Sequence, residues 1–187
     1  MEVRKFIEFL NVAEKLKCNV RHSWTSSGRR ESVAEHSWRL SLMAMLCADE
    51  YPDLDMNKVI KMCIIHDLGE ALTGDVPAFL KTEEDEKEEE GAITRLLSML
   101  PDEAKGGFSS LFAEMAAMET QEAKLCKALD NAEAIISHNE ADISTWIGRE
   151  YEANLVYGTE SCSFSDFTRT LRDELRRDSL KKIKEAK

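Results

Sequence analysis

"MCIIHDLGE", residues 62–70, sets four apolar side chains in a row directly before His66 and Asp67 and ends on Glu70. The reading of that run decides the fold. A segment apolar on all sides is either a buried central helix or a buried strand. As a strand it would place His66 and Asp67 at the carboxyl end of a β-strand, as in an α/β metalloenzyme. Its length, with no Gly or Pro across residues 53–68, favours a helix, and the α/β arrangement stands as the alternative.

The rest of the chain agrees with helix. Three prolines and eight glycines punctuate 187 residues, and the segments between them carry apolar side chains at i, i+3 and i+4 rather than in strict alternation. The expectation is an all-α helical bundle of about six or seven helices in a single domain spanning residues 1–187. Helices are predicted at about 3–16, 33–51, 56–68, 83–100, 109–118, 121–154 with a possible break, and 165–185. The last of these packs on the core or serves a dimer contact.

Two helices carry inward-facing polar residues. Val33, His36, Leu40, Met43 and Cys47 lie on one stripe, so His36 points into the core. The helix from Gln121 buries Leu125, Ala128, Leu129, Ala132, Ile135 and Ile136. Its other face joins Asp130 to the small residues Ala123, Cys126, Ala134 and Ser137, leaving that carboxylate less exposed than most.

Composition narrows the chemistry. Hydrophobic content of 43% with 33% charged residues fits a folded globular chain. A net charge of -11 argues against nucleic acid as a partner, because phosphate backbones need a basic stripe. An anionic small molecule would need local positive charge from a metal or a few Arg and Lys side chains. The five cysteines are an odd number without a CxxC pair and read as reduced packing residues. There is neither a signal-peptide pattern at the N-terminus nor an apolar stretch long enough to span a membrane, so a cytoplasmic location is expected. The acidic run "EEDEKEEE", residues 83–90, follows Thr82, a plausible N-cap, and reads as a solvated helix start.

On a helix, Glu70 lies one turn from His66 and Asp67, so the three side chains can converge. His36 and Asp130 would complete a mixed His2Asp2 shell. Imidazole and carboxylate donors without thiolate suit Mn, Fe, Co, Ni or Mg better than structural zinc. Taken singly, each residue has an ordinary alternative. His36 would be a hydrogen-bonded core histidine, Asp67 a helix-end residue, Asp130 the partner of a backbone group or Lys, and Glu70 a surface charge.

The ordered set "EHS" at 35–37, "HDLGE" at 66–70, "TGDVP" at 73–77 and "LDNAEA" at 129–134 resembles the HD-domain metal-dependent phosphohydrolases. Within them it is most similar to the small 5'-deoxynucleotidases. The resemblance runs from about residue 5 to at least residue 140, with the metal-site core at about 33–140. It implies an HD-domain bundle, with His36, His66, Asp67 and Asp130 as ligands of a divalent ion (Mn, Co, Mg, Ni or Fe). It implies that Glu70 and Asp75 are catalytic acidic residues, or that they hold a second ion together with the Val76 carbonyl. Arg21, in "NVRHSW", would face the substrate phosphate, Trp24 would line a nucleoside pocket, and Lys81 would be a second phosphate contact. His22 departs from the family pattern beside that arginine. The implied activity is hydrolysis of deoxyribonucleoside 5'-monophosphates by a homodimer. The alternatives are phosphohydrolysis of cyclic nucleotides, nucleoside triphosphates or guanosine tetraphosphate, and a non-catalytic nucleotide-binding regulatory module.

Overall fold

Ser32 and Glu35 begin the helix that carries the first histidine. The Ser32 hydroxyl accepts from the Glu35 backbone N–H while the Glu35 carboxylate accepts from the Ser32 N–H, a reciprocal capping box. This computed structural model describes residues 2–77 and 80–186. Its elements are α1 (Val3–Ala13), β1 (Val20–Trp24), β2 (Arg30–Ser32), α2 (Val33–Leu46), α3 (Met56–Ile65), α4 (Glu70–Thr73), α5 (Glu83–Met99), α6 (Asp102–Ala117), α7 (Gln121–Glu140), α8 (Glu150–Val156) and α9 (Asp166–Glu185). Short 3-10 turns follow α1, α2, α7 and α8.

The centre is a sandwich of α2, α3 and α7. Leu40, Ala44, Val59, Met62, Cys63, Leu125 and Leu129 are buried there in one cluster. Burial of a large aliphatic side chain of this kind contributes roughly 1.5–3 kcal/mol. A second cluster joins Phe9, Val33, Ile65, Leu68, Leu96 and Phe112 from α1, α2, the end of α3, α5 and α6. The C-terminal helix α9 packs on α7, with Leu175 against Ala132 and Ile135. No helix among the described residues is long and apolar enough to cross a membrane.

Residues 62–65 are helical, which removes the α/β alternative. Three other expectations need correction. The fold is mostly rather than wholly helical: β1 and β2 form an antiparallel hairpin in which Val20 pairs with Ser32 and Trp24 with Arg30. Its turn is closed by Thr25 and Arg29, with Gly28 at φ 83°, a left-handed conformation that favours glycine. The segment expected over 121–154 does break, as its reading allowed, into α7 and α8. Among the described residues the helical segments therefore exceed six or seven, because α4 and α8 are short separate pieces.

The third correction concerns the opening stretch. The α-helix stops at Ile65, and the next residues close tighter i→i+3 bonds: Leu68 N–H to Ile65 O at 2.9 Å, Glu70 to Asp67 at 3.0 Å and Leu72 to Gly69 at 2.9 Å. His66 and Gly69 keep right-handed helical dihedrals, so the chain tightens without breaking. A Cβ on Gly69 would come within 3.3 Å of Ile93, which explains how α5 approaches so closely here. Gly74, at φ 79°, then turns the chain out of α4 toward Asp75.

Candidate metal centre

Four side chains from three different segments meet at one point. His36 Nε2 lies 3.2 Å from Asp130 Oδ1, 3.7 Å from Asp67 Oδ2 and 3.1 Å from His66 Nε2. His66 Nε2 lies 3.1 Å from Asp67 Oδ2 and 3.7 Å from Asp130 Oδ1. Donors held about 2.1 Å from one ion stand roughly 3.0 Å apart in octahedral and 3.4 Å apart in tetrahedral geometry. The observed spacings, 3.1 to 3.7 Å, begin at those edges and run slightly beyond them.

The hydrogen bonds behind the histidines set their tautomers. His36 Nδ1 pairs with the Glu133 carboxylate, and His66 Nδ1 donates to the Cys63 carbonyl at 2.9 Å. Both Nε2 lone pairs are thereby turned toward the same point, the arrangement metal-bound histidines require. Two imidazole nitrogens and two carboxylates fit a borderline or hard divalent cation.

Charge is balanced around this point. Burial works against ionisation of Asp67, but His66 and His36 hold it below the usual carboxylate range. Burial opposes Asp130 likewise, and Lys127, His36 and His66 hold it well below that range. Lys127 Nζ sits 2.8 Å from Asp130 Oδ2, so Asp130 faces the cluster with one oxygen and Lys127 with the other. Arg21 Nη1 is 3.3 Å from Asp67 Oδ2, and its Nε is 3.6 Å from Glu31. Burial disfavours the Arg21 charge, yet Asp67, Glu133, Asp130 and Asp75 together raise its pKa above the ordinary value.

The α4 side differs. Glu70 is buried, and its Oε2 has no hydrogen-bond partner among the described residues. Burial, then the nearby Asp67 and Asp75 carboxylates, push its pKa up to about 9. Asp75 is raised by burial too, although Arg21 draws it down and the His22 backbone N–H bonds to it. Val76 lines the same groove as Glu70, together with Lys81, whose ammonium pairs with Glu89.

The structure thus brings together His36, His66, Asp67, Asp130 and Arg21, with Glu70 and Asp75 adjoining. Trp24 lies apart, at the end of β1, where the Arg30 guanidinium sits 4.8 Å over its ring. Trp24 does not line the cavity that opens beside Arg21 and Asp75, whose walls come from β1, α7 and α8.

Several partners went unassigned in the sequence. Glu133 is fully buried, and its pKa falls to about 2 because His36, Arg39 and Arg21 outweigh its burial. Arg39 Nε donates to Glu133 Oε1 at 2.6 Å and Arg39 also pairs with Glu140, tying α2 to α7. Glu133 stands three residues after Asp130 within "LDNAEA", so helical spacing alone places both on one face. Lys127 precedes Asp130 by the same interval.

An HD domain model matches residues 13–172. The chain belongs to the HD domain family. The 5'-deoxynucleotidase HDDC2 of Dictyostelium discoideum is 33% identical over 145 residues, covering 72% of this chain and 76% of that protein. The 5'-deoxynucleotidase hdd1 of Schizosaccharomyces pombe is 29% identical over 174 residues, covering 81% and 85%. Among solved structures, a "Predicted metal-dependent phosphohydrolase" from Magnetospirillum magnetotacticum MS-1 superposes with TM-score 0.81 at 27% identity, covering 96% of this chain and 93% of that one. The chain is an HD-domain phosphohydrolase by family, and His36, His66 and Asp67 form a group that could hold a metal ion, with Asp130 beside the two histidines.

Proposed function

We propose that the chain hydrolyses deoxyribonucleoside 5'-monophosphates to deoxynucleoside and inorganic phosphate, using a divalent ion. The observation that carries this reading is the position of Arg21. Its guanidinium contacts Asp67 in the donor cluster and also lines the adjoining cavity, so a phosphate at the cluster and an organic group in the cavity would share one cation. The relatives named 5'-deoxynucleotidases support the choice of substrate.

His36, His66, Asp67 and Asp130 would hold the divalent ion, which when bound would acidify a water and polarise a phosphoryl oxygen. Arg21 neutralises charge on the phosphoryl oxygens as the oxygen of water bonds to phosphorus and the bond to the nucleoside 5'-oxygen breaks. Glu70 is protonated in the metal-free chain because it is buried and Asp67 and Asp75 stand beside it; ionised once a dication offsets those charges, it would accept the proton that the attacking water loses and pass it to the departing 5'-oxygen. Glu133 and the Cys63 carbonyl keep both imidazoles in register. Lys81 stands at the groove mouth as a further phosphate contact, released from Glu89 when the anion arrives. A homodimer is part of the proposal: Trp38, Met45 and Leu46 of α2 and Ile64 of α3 present outward apolar surface for a second copy.

The test is phosphate release from a panel of ribo and deoxy monophosphates with Mn, Co or Mg, with and without chelator. Metal-dependent release from the deoxy forms is expected. Metal-loaded protein that binds a nucleotide tightly and releases no phosphate from any of them would end the enzyme reading.

A further inference from the structure

The cavity beside Arg21 and Asp75 runs to a polar end that the hydrolytic chemistry does not use. Between Ile135 of α7 and the hairpin, that end is formed by His138, Glu150 and Asn154. Glu150 and Asn154 are each 3% exposed and stand one turn apart on α8. Asn154 Oδ1 is bonded to His138 Nδ1 at 2.9 Å, which leaves its Nδ2 amide without a partner among the described residues. Glu150 Oε2 accepts from the Ile147 backbone N–H at 2.7 Å, whereas Oε1 lies 2.9 Å from His22 Nε2 and 3.7 Å from His138 Nε2, in neither case as an aligned hydrogen bond. Arg172 fixes this wall by donating to the carbonyls of Tyr157 and Asn154.

A buried donor left unmade is costly in free energy, and the carboxylate oxygen beside it, in contact only with imidazoles, keeps lone-pair capacity, so a ligand that supplies both complements is favoured. We infer that this end of the cavity reads the nucleobase, and that it prefers bases carrying a ring N–H beside a carbonyl: guanine and thymine over adenine and cytosine. The inference rests on the 5'-nucleotidase reading only for the phosphate end of the substrate. A carbonyl oxygen accepts from Asn154 Nδ2, and the adjacent ring N–H donates to Glu150 Oε1. Guanine adds its 2-amino group as a second donor to the same carboxylate. Adenine and cytosine reverse both contacts, setting a ring-nitrogen lone pair against the carboxylate and an amino group against the amide. A site built to hydrogen-bond one pattern discriminates strongly against its reverse.

Two measurements test this separately from hydrolysis. With Mn-loaded protein, kcat/KM for dGMP and dTMP should exceed that for dAMP and dCMP by about tenfold or more. Calorimetric titration with the free nucleosides should show the same order, with or without Mn, since no phosphate is involved. Glu150→Gln, which keeps an acceptor for Ile147 but turns an N–H toward the base, should narrow or invert the preference. Asn154→Asp, which removes the donor, should weaken dGMP and dTMP most. Circular dichroism confirms that each variant is folded, and either one alone is decisive. Equal use of the four monophosphates with equal nucleoside binding, or a preference unmoved in a folded variant, overturns the inference while leaving the nucleotidase standing. Nucleoside discrimination without any phosphate release upholds the base-reading site and removes the nucleotidase.

Discussion

Two buried glutamates flank the donor cluster and behave in opposite ways. Glu133, on α7, is bonded to His36, Arg39 and Ser137 and titrates near 2. Glu70, at the start of α4, has an unpartnered Oε2 and titrates near 9. Both are desolvated, so burial does not separate them; the neighbours do. Glu133 faces an imidazole and guanidinium groups, whereas Glu70 faces two carboxylates. One flank is built to hold a shape and the other to exchange a proton or accept a cation.

The comparison depends on the cluster between the flanks, and removing Asp67 has the largest expected effect. Asp67→Ala takes away one donor and one of the two carboxylates paired with Arg21 together. Elemental analysis should find no bound metal, and phosphate release should fall by at least about 1000-fold, toward the level of a site without its ion. Unchanged metal content would show that Asp67 is not a ligand.

Glu133→Gln addresses the shape-holding flank. The amide can still meet His36 Nδ1, but it loses the charge that fixes the imidazole and pairs with Arg39. Loss of a carboxylate behind a metal-bound histidine typically costs 10–100-fold in metal affinity, and about that loss of Mn affinity is expected by titration. The fold itself should persist, because the apolar contacts of Ala132 and Ile135 on the same helix are untouched.

What could be read from the sequence follows the same division. His36 and Asp130 were placed by helical stripes that the buried faces of α2 and α7 reproduce. The convergence of His66, Asp67 and Glu70 was foreseen from an unbroken helix, yet the chain reaches it through i→i+3 turns after Ile65. Residues compatible with either hydrogen-bond pattern do not choose between them locally. The choice depends on packing, here of Leu68 and Ala71 into the second core cluster. The hairpin was missed because five residues of strand paired with three carry too short an alternation to register. The α8 wall was hidden inside a predicted long helix, since what separates it from α7 is a 3-10 turn capped by Asp142.

Glu70→Gln probes the other flank through stability. In the folded chain Glu70 holds its proton up to about 9, against the 4.5 ordinary for a glutamate. A carboxyl whose folded pKa is raised contributes stability that is complete below 4.5 and is lost as pH rises through 9. Glu133 contributes in the other sense, fully above 4.5 and lost as pH falls through about 2. Between about pH 5 and 9, then, the metal-free protein should lose stability through Glu70 with a slope of up to about 1.4 kcal/mol per pH unit. Chemical denaturation across that range should show the slope in the parent chain and a flatter curve in Glu70→Gln, with the variant the more stable at pH 8. Saturating Mn should flatten the parent curve as well, because a nearby dication favours the ionised carboxylate. Identical curves for parent and variant without metal would mean that Glu70 ionises freely in the folded chain. The contrast with Glu133 would then come from hydrogen bonding alone.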